Sequence, residues 1–231
     1  VISTDDIAGG ASARRRLTMF RDRSDAGRRL AACFDRHALV EPVVLGIPRG
    51  GVAVAAALAR ELDAELDVVL ARKLRAPGQP ELAMGAVTEE GEVLIDEEIV
   101  GLIGASPEAI EAERRHQLEE IERRKLLIRA VRPAAGLEGR SVIVTDDGVA
   151  TGSTMLAALR ALRARRPREI IVAVPVGAPD RIEALRAHCD SLIVLAMPAH
   201  FIAIGRFYDR FDQLTDAEML ALLRAAAPKK S

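Results

Sequence analysis

The chain of 231 residues has no tryptophan, one tyrosine, five phenylalanines and two cysteines. Cys33 and Cys189 offer no metal-ligand spacing, which predicts reduced structural thiols in a cytoplasmic protein. No charge of one sign prevails. The formal net charge of −1 gives nucleic acid and membrane surfaces no global electrostatic attraction. No apolar run approaches the length of a membrane span, and the first residues lack a basic-then-apolar export pattern. Two common phosphate-binding loops are missing as well: no Gly-x4-Gly-Lys-Ser/Thr follows a strand, and no Gly-x-Gly-x-x-Gly does. A chain of this length suits one α/β domain with a decorating subdomain, and residues 1–10 read as a loose polar arm.

What is present is organised around residues 141–154. Ser141, Val142, Ile143, Val144 and Thr145 form a β-branched run that reads as a strand buried on both faces. The adjacent carboxylates Asp146 and Asp147 follow, then the small-residue loop Gly148, Val149, Ala150, Thr151, Gly152, Ser153, Thr154, then a helical pattern. Backbone N–H groups and hydroxyls of residues 150–154 would converge on an anion at the positive end of a helix dipole. The carboxylates could accept hydrogen bonds from sugar hydroxyls or hold Mg2+ through water.

A second strand–glycine loop–helix unit lies earlier. The short strand 43–47 leads into Pro48, Arg49, Gly50 and Gly51, then into an alanine-rich helix over 52–62. In a parallel sheet both loops emerge at one edge, so two anion cradles face a single ligand with phosphates at both ends. A strand over 66–71 ends in Arg72 and Lys73. The stretch 74–81, punctuated by Pro77, Gly78 and Pro80, reads as a long loop, and 85–88 with 93–95 as a hairpin. Glu81 is a weak candidate acid/base beside a surface carboxylate reading.

Residues 26–37 read as a helix capped by Ser24 or Asp25. Ser106 and Pro107 open a long, mostly solvated helix to about residue 131, whose narrow apolar stripe could meet the sheet edge or a second copy in a homodimer. Its carboxylates largely cancel its basic charge, which argues against nucleic acid. Strands over 169–176 and 191–196 flank a helix over 179–188, completing the pattern of a parallel sheet covered on both faces. Most aromatics then cluster in 201–211, as a lid that stacks a base or as packing that anchors the last helix, which opens with the capping box Thr215–Glu218.

The acidic pair followed by Thr-Gly-Ser-Thr closely resembles the phosphoribosyl pyrophosphate motif of type I phosphoribosyltransferases, and the whole pattern is similar to a stand-alone bacterial group of such proteins. The resemblance implies an α/β core over about 40–198, with a flexible loop/hairpin and a small hood from 11–38 and 198–226, all in one domain spanning 11–231. It implies that Asp146 and Asp147 hold the ribose hydroxyls and, with them or through water, Mg2+. Residues Gly148, Val149, Ala150, Thr151, Gly152, Ser153 and Thr154 would cradle the 5-phosphate, and Arg49, Gly50, Gly51, Lys73 and Arg72 would meet the pyrophosphate. The hood implies Phe201, Phe207 and Tyr208 as base contacts. Hypoxanthine- and guanine-using members carry an acidic residue where this chain has Ala150, so the departure looks more like the adenine or uracil branches. The implied activity is an Mg2+-dependent transfer of phosphoribosyl from phosphoribosyl pyrophosphate to a small nitrogenous acceptor, in nucleotide metabolism. A non-catalytic phosphoribosyl-pyrophosphate-binding regulator and a hydrolase remain the alternatives.

Overall fold

Five short runs rich in β-branched residues lie side by side in parallel. They are β1 (Val43–Gly46), β2 (Glu65–Val68), β6 (Ser141–Thr145), β7 (Glu169–Val176) and β8 (Ser191–Ala196), in the order β2-β1-β6-β7-β8. The computed structural model describes residues 19–226 except 90 and 92, and within that span every side chain but those of 80, 81 and 94. The expected arm over 1–10, the hood residues 11–18 and the Glu81 carboxylate lie outside the described residues.

The central strands are buried on both faces, which is why they carry continuous apolar runs. Val44, Ile143 and Ile171 pack on one side with α1 (Arg23–Ala31), α2 (Gly50–Leu62) and α7 (Asp216–Ala225). Val43, Leu45, Val142, Val144 and Val172 pack on the other with α5 (Ser153–Ala164) and α6 (Pro179–Arg186). The sheet covered by helices on both faces is therefore observed.

Between β2 and β6 stands a second, antiparallel sheet of β3 (Ala71–Ala76), β4 (Gln79–Thr88) and β5 (Val93–Ile95). The long loop expected over 74–81 is instead two strand ends joined by a tight turn at Pro77 and Gly78, where Gly78 takes φ +72°. Leu74 and Ala76 alternate inward along β3, a period of two that outweighs the nearby prolines. Ala71 accordingly belongs to β3 rather than to the preceding strand.

Two more elements depart from expectation. Asp22 caps α1, accepting from the Asp25 N–H, so the helix starts earlier than a Ser24 or Asp25 cap would allow and ends at Ala31. A short helix, α3 (Glu97–Ile103), capped by Asp96 and stopped at Gly104, precedes the long α4 (Pro107–Arg129). Along α4, Glu111 pairs with Arg114, Glu120 with Arg123 and Glu122 with Lys125, each at spacing three.

Candidate functional site

The strand order reverses between β1 and β6: the chain grows outward to β2 on one side and to β7 and β8 on the other. Open α/β sheets take ligands at the carboxyl end of such a switch point. Here Gly46 and Thr145 sit opposite each other as the last residues of the two strands. The two glycine loops leave the sheet from these neighbouring ends, as the sequence predicts.

The loops also touch. A methyl group added to Gly50 would lie 2.0 Å from Asp147 Oδ2, and one added to Gly51 would lie 2.8 Å from Asp146 Cα. Only hydrogen at both positions allows the amino end of α2 to close over the acidic pair. Asp146 Oδ1 accepts from the Asp147 N–H at 2.8 Å. Burial raises the Asp146 carboxyl well above its ordinary range, and the neighbouring Asp147 charge adds to the rise. Burial raises Asp147 too, against the opposing charge and hydrogen bond of Arg23. Two carboxylates held this way are costly to ionise together, the condition in which hydroxyl donors or a cation gain most.

Beyond the pair, Val149 is pinned by its N–H to Val176 O at 2.8 Å and by its carbonyl to the Ala178 N–H at 3.0 Å. Ala150 and Thr151 are exposed and lead to Gly152, which caps α5 with φ +76°. No side chain caps this helix, so none competes with an anion for the N–H groups of its first turn, where Ser153 and Thr154 lie. Gly148 packs beneath Ile204 of the C-terminal segment.

The remaining predicted residues fall in three places. Arg49 directly precedes α2, and its guanidinium lies 3.7 Å from Asp216 on α7. Arg72 and Lys73 lie within β3, opposite Val87 and Ala86, rather than at the end of a strand of the parallel sheet. Arg72 Nε donates to Gln117 Oε1 of α4 at 2.5 Å, while Lys73 faces the other side of the hairpin sheet. Phe201 is half-buried and stacks on the buried Phe207 at 5.7 Å. Tyr208 is buried between Phe20 and Phe211, and its hydroxyl donates to Asp147 O at 2.7 Å. Burial and the neighbouring Asp147 push its phenol far above the ordinary range, so it remains a neutral donor. These rings are packed against one another, as anchoring requires.

Sequence reasoning missed Arg23. Its Nε donates to Asp147 Oδ2 at 2.8 Å, its Nη1 to Asp212 O at 2.8 Å, and its guanidinium lies 3.9 Å from the Phe211 ring centre. The N-terminal and C-terminal segments hold each other over the site: the Phe20 N–H donates to Phe207 O, and the Asp209 N–H to Phe20 O, both at 2.9 Å. A charged residue in a charged segment carries no local mark of a partner that far along the chain.

Comparison with known proteins agrees with this geometry. The model of the family described as "Phosphoribosyl transferase domain" matches residues 18–205. Two Mycobacterium tuberculosis proteins, from strains CDC 1551 / Oshkosh and H37Rv, are each named "Putative phosphoribosyl transferase". Each is 40% identical over 210 residues, covering 91% of this chain and 47% of the relative. The chain thus spans about half the length of the curated relatives it matches. The crystal structure of the protein TT1426 from Thermus thermophilus superposes with a TM-score of 0.81 at 44% identity, covering 90% of this chain and 99% of that one. Acidic pair, glycine loops, strand order and family match agree, and the chain belongs to the type I phosphoribosyltransferase family.

Proposed function

We propose that the chain is an Mg2+-dependent phosphoribosyltransferase that displaces pyrophosphate from phosphoribosyl pyrophosphate by a ring nitrogen of a small base-like acceptor. The observation that carries this reading is the contact between the Gly50–Gly51 turn and the Asp146–Asp147 pair at the switch point, beside the uncapped start of α5. One ligand laid along that edge would meet an anion cradle at each end and carboxylates in the middle.

In the proposed reaction the bond between ribose C1 and pyrophosphate loosens and positive charge builds on the sugar. Asp146 and Asp147 accept hydrogen bonds from the ribose hydroxyls and fix the ring. The N–H groups of 150–154 hold the 5-phosphate at the positive end of α5, and Arg49 with Gly50 and Gly51 faces the leaving group. No covalent nucleophile is needed. Among the described residues no three carboxylate, histidine or cysteine side chains gather as a metal site. The buried pair of hard oxygen donors therefore fits Mg2+ held through water and ligand oxygens, not by protein ligands alone. When bound, the ion would neutralise charge on the leaving group. Free Cys33 and Cys189 support a reducing compartment, the cytoplasm, and the acceptor class supports a role in nucleotide metabolism.

A specific observation favours a second reading, a non-catalytic binder of phosphoribosyl pyrophosphate: Arg49 and Arg72 each already face a protein partner, Asp216 and Gln117. The deciding measurement is pyrophosphate release with Mg2+ across purine, pyrimidine and other nitrogen-heterocycle acceptors, beside calorimetric binding of phosphoribosyl pyrophosphate. Acceptor-dependent release supports the transferase, release without acceptor a hydrolase, and binding without release the regulator. Neither binding nor release would sink the reading of the acidic pair.

A further inference from the structure

Arg49 and Arg123 approach one carboxylate from two elements. Arg49 Nη1 lies 3.7 Å from Asp216 Oδ1, and Arg123 Nη1, on α4, lies 3.8 Å from Asp216 Oδ2. Both separations exceed hydrogen-bond range, and Oδ1 is buried without a hydrogen-bond partner. The contrast with the 2.8 Å pairing of Arg23 and Asp147 is instructive. Asp216 gives these arginines charge without bonds. Its position is set by its own helix, because Thr215 and Glu218 close a complete capping box around the first turn of α7.

Arg123 also belongs to a cluster of arginines around Arg72. Burial lowers the Arg72 pKa, and the charges of Arg124, Arg75 and Arg123 lower it further, while Glu120 only partly opposes them. Arg124 Nε is buried with no acceptor. Glu120 lies 3.4 Å from Arg123 and is the near acidic neighbour on α4. Two guanidiniums facing a carboxylate just beyond bonding distance, with an unused buried N–H on the same helix as one of them, suit a small polyanion with several acceptor oxygens. It adjoins Arg49, at the amino end of α2.

We propose that Asp216 holds the place of the pyrophosphate anion between Arg49 and Arg123, and that Arg123 is a binding residue for that anion. The inference rests on the phosphoribosyltransferase reading above. Pyrophosphate oxygens reach both guanidiniums and make the bonds that Asp216 does not. The displaced charge of Asp216 then opposes retention of the anion, so α7 weakens product binding while α4 strengthens it.

The test is calorimetric titration of inorganic pyrophosphate with Mg2+ into the full chain, with ribose 5-phosphate as a probe of the opposite cradle. Asp216→Asn keeps the capping box and should bind pyrophosphate about fivefold tighter, whereas Arg123→Gln should bind it about fivefold more weakly. The gain from Asp216→Asn should shrink in the double variant, and ribose 5-phosphate affinity should stay constant in all three. Opposite signs on one probe and none on the other are beyond a general loss of structure. Wild-type affinity for pyrophosphate in both single variants, with Arg49→Gln impaired, would overturn the proposal and leave the functional reading standing. Absence of pyrophosphate and phosphoribosyl pyrophosphate binding in the wild type would overturn both.

Discussion

Arg23 Nε and Asp147 Oδ2 pair at 2.8 Å across 124 residues of chain, with both side chains largely buried. The pair ties the N-terminal helix to the acidic centre of the site. Arg23 is one of the influences that hold the Asp147 carboxyl down against burial. Arg23→Ala should therefore raise that carboxyl further, leaving it protonated to higher pH. With the ionised Asp147 accepting from a ribose hydroxyl as proposed, affinity for phosphoribosyl pyrophosphate should fall, and its rise with pH should move upward. Dissociation constants measured from about pH 5 upward would check this; superimposable profiles would remove Arg23 from any positioning role.

Asp146 carries the opposite balance. Its folded pKa is raised above the ordinary 3.8, so its favourable contribution exists at low pH and is lost as pH rises through the folded value. Asp146→Asn keeps an acceptor for the Asp147 N–H and removes the buried charge. The ligand-free variant should be more stable than wild type at neutral pH, by about 1 kcal/mol, while losing ligand affinity. The stability gain should vanish on acidification. Chemical denaturation at about pH 4 and about pH 7.5 reads both signs.

Gly50→Ala and Gly51→Ala should separate two kinds of crowding. The first drives a methyl into the Asp147 carboxylate, the second into the Asp146 backbone. Both should weaken phosphoribosyl pyrophosphate binding by at least about tenfold, roughly 1.4 kcal/mol. Gly51→Ala should cost more stability, because a backbone yields less than a carboxylate. Equal melting temperatures and intact affinity would contradict the close approach.

Tyr208→Phe distinguishes packing from base recognition. The rings keep their contacts, but Asp147 O loses its donor. The expected loss is roughly 1 kcal/mol, read as a melting temperature about 2–4 °C lower. A changed acceptor KM at unchanged stability would instead favour contact of the hydroxyl with the acceptor.

Asp67 tests the scaffold away from the site. It is buried, accepts from Arg129 Nη1 at 2.7 Å and from the Ala135 N–H at 2.9 Å, and Arg129 also reaches Glu89. Asp67→Ala would leave Arg129 to Glu89 alone and the Ala135 N–H without its acceptor, with an expected loss of about 1–3 kcal/mol. A denaturation midpoint close to wild type would refute that weight.

The two strand–loop–helix units were legible in the sequence because their determinants are local. β-branched runs make doubly buried strands, Gly50 and Gly51 open one turn, and Asp146 to Thr154 compose the other in a single stretch. The capping box at Thr215 and the proline start of α4 were equally local. Residues 74–81 misled for a related reason: Pro77, Gly78 and Pro80 announce a loop, yet two of them only make and flank a turn while pairing with β4 decides the rest.

Strand order, and with it the switch point, came from packing that no stretch of sequence contains. The same holds for Arg23 on Asp147, the Tyr208 hydroxyl on the Asp147 carbonyl, and Asp216 between Arg49 and Arg123. By itself the sequence determined the covalent content of the site, two carboxylates and two glycine loops, because neighbours in the chain must be neighbours in space. Only the tertiary structure decided which distant charges those groups meet, because burial and long-range pairing set their cost and their partners.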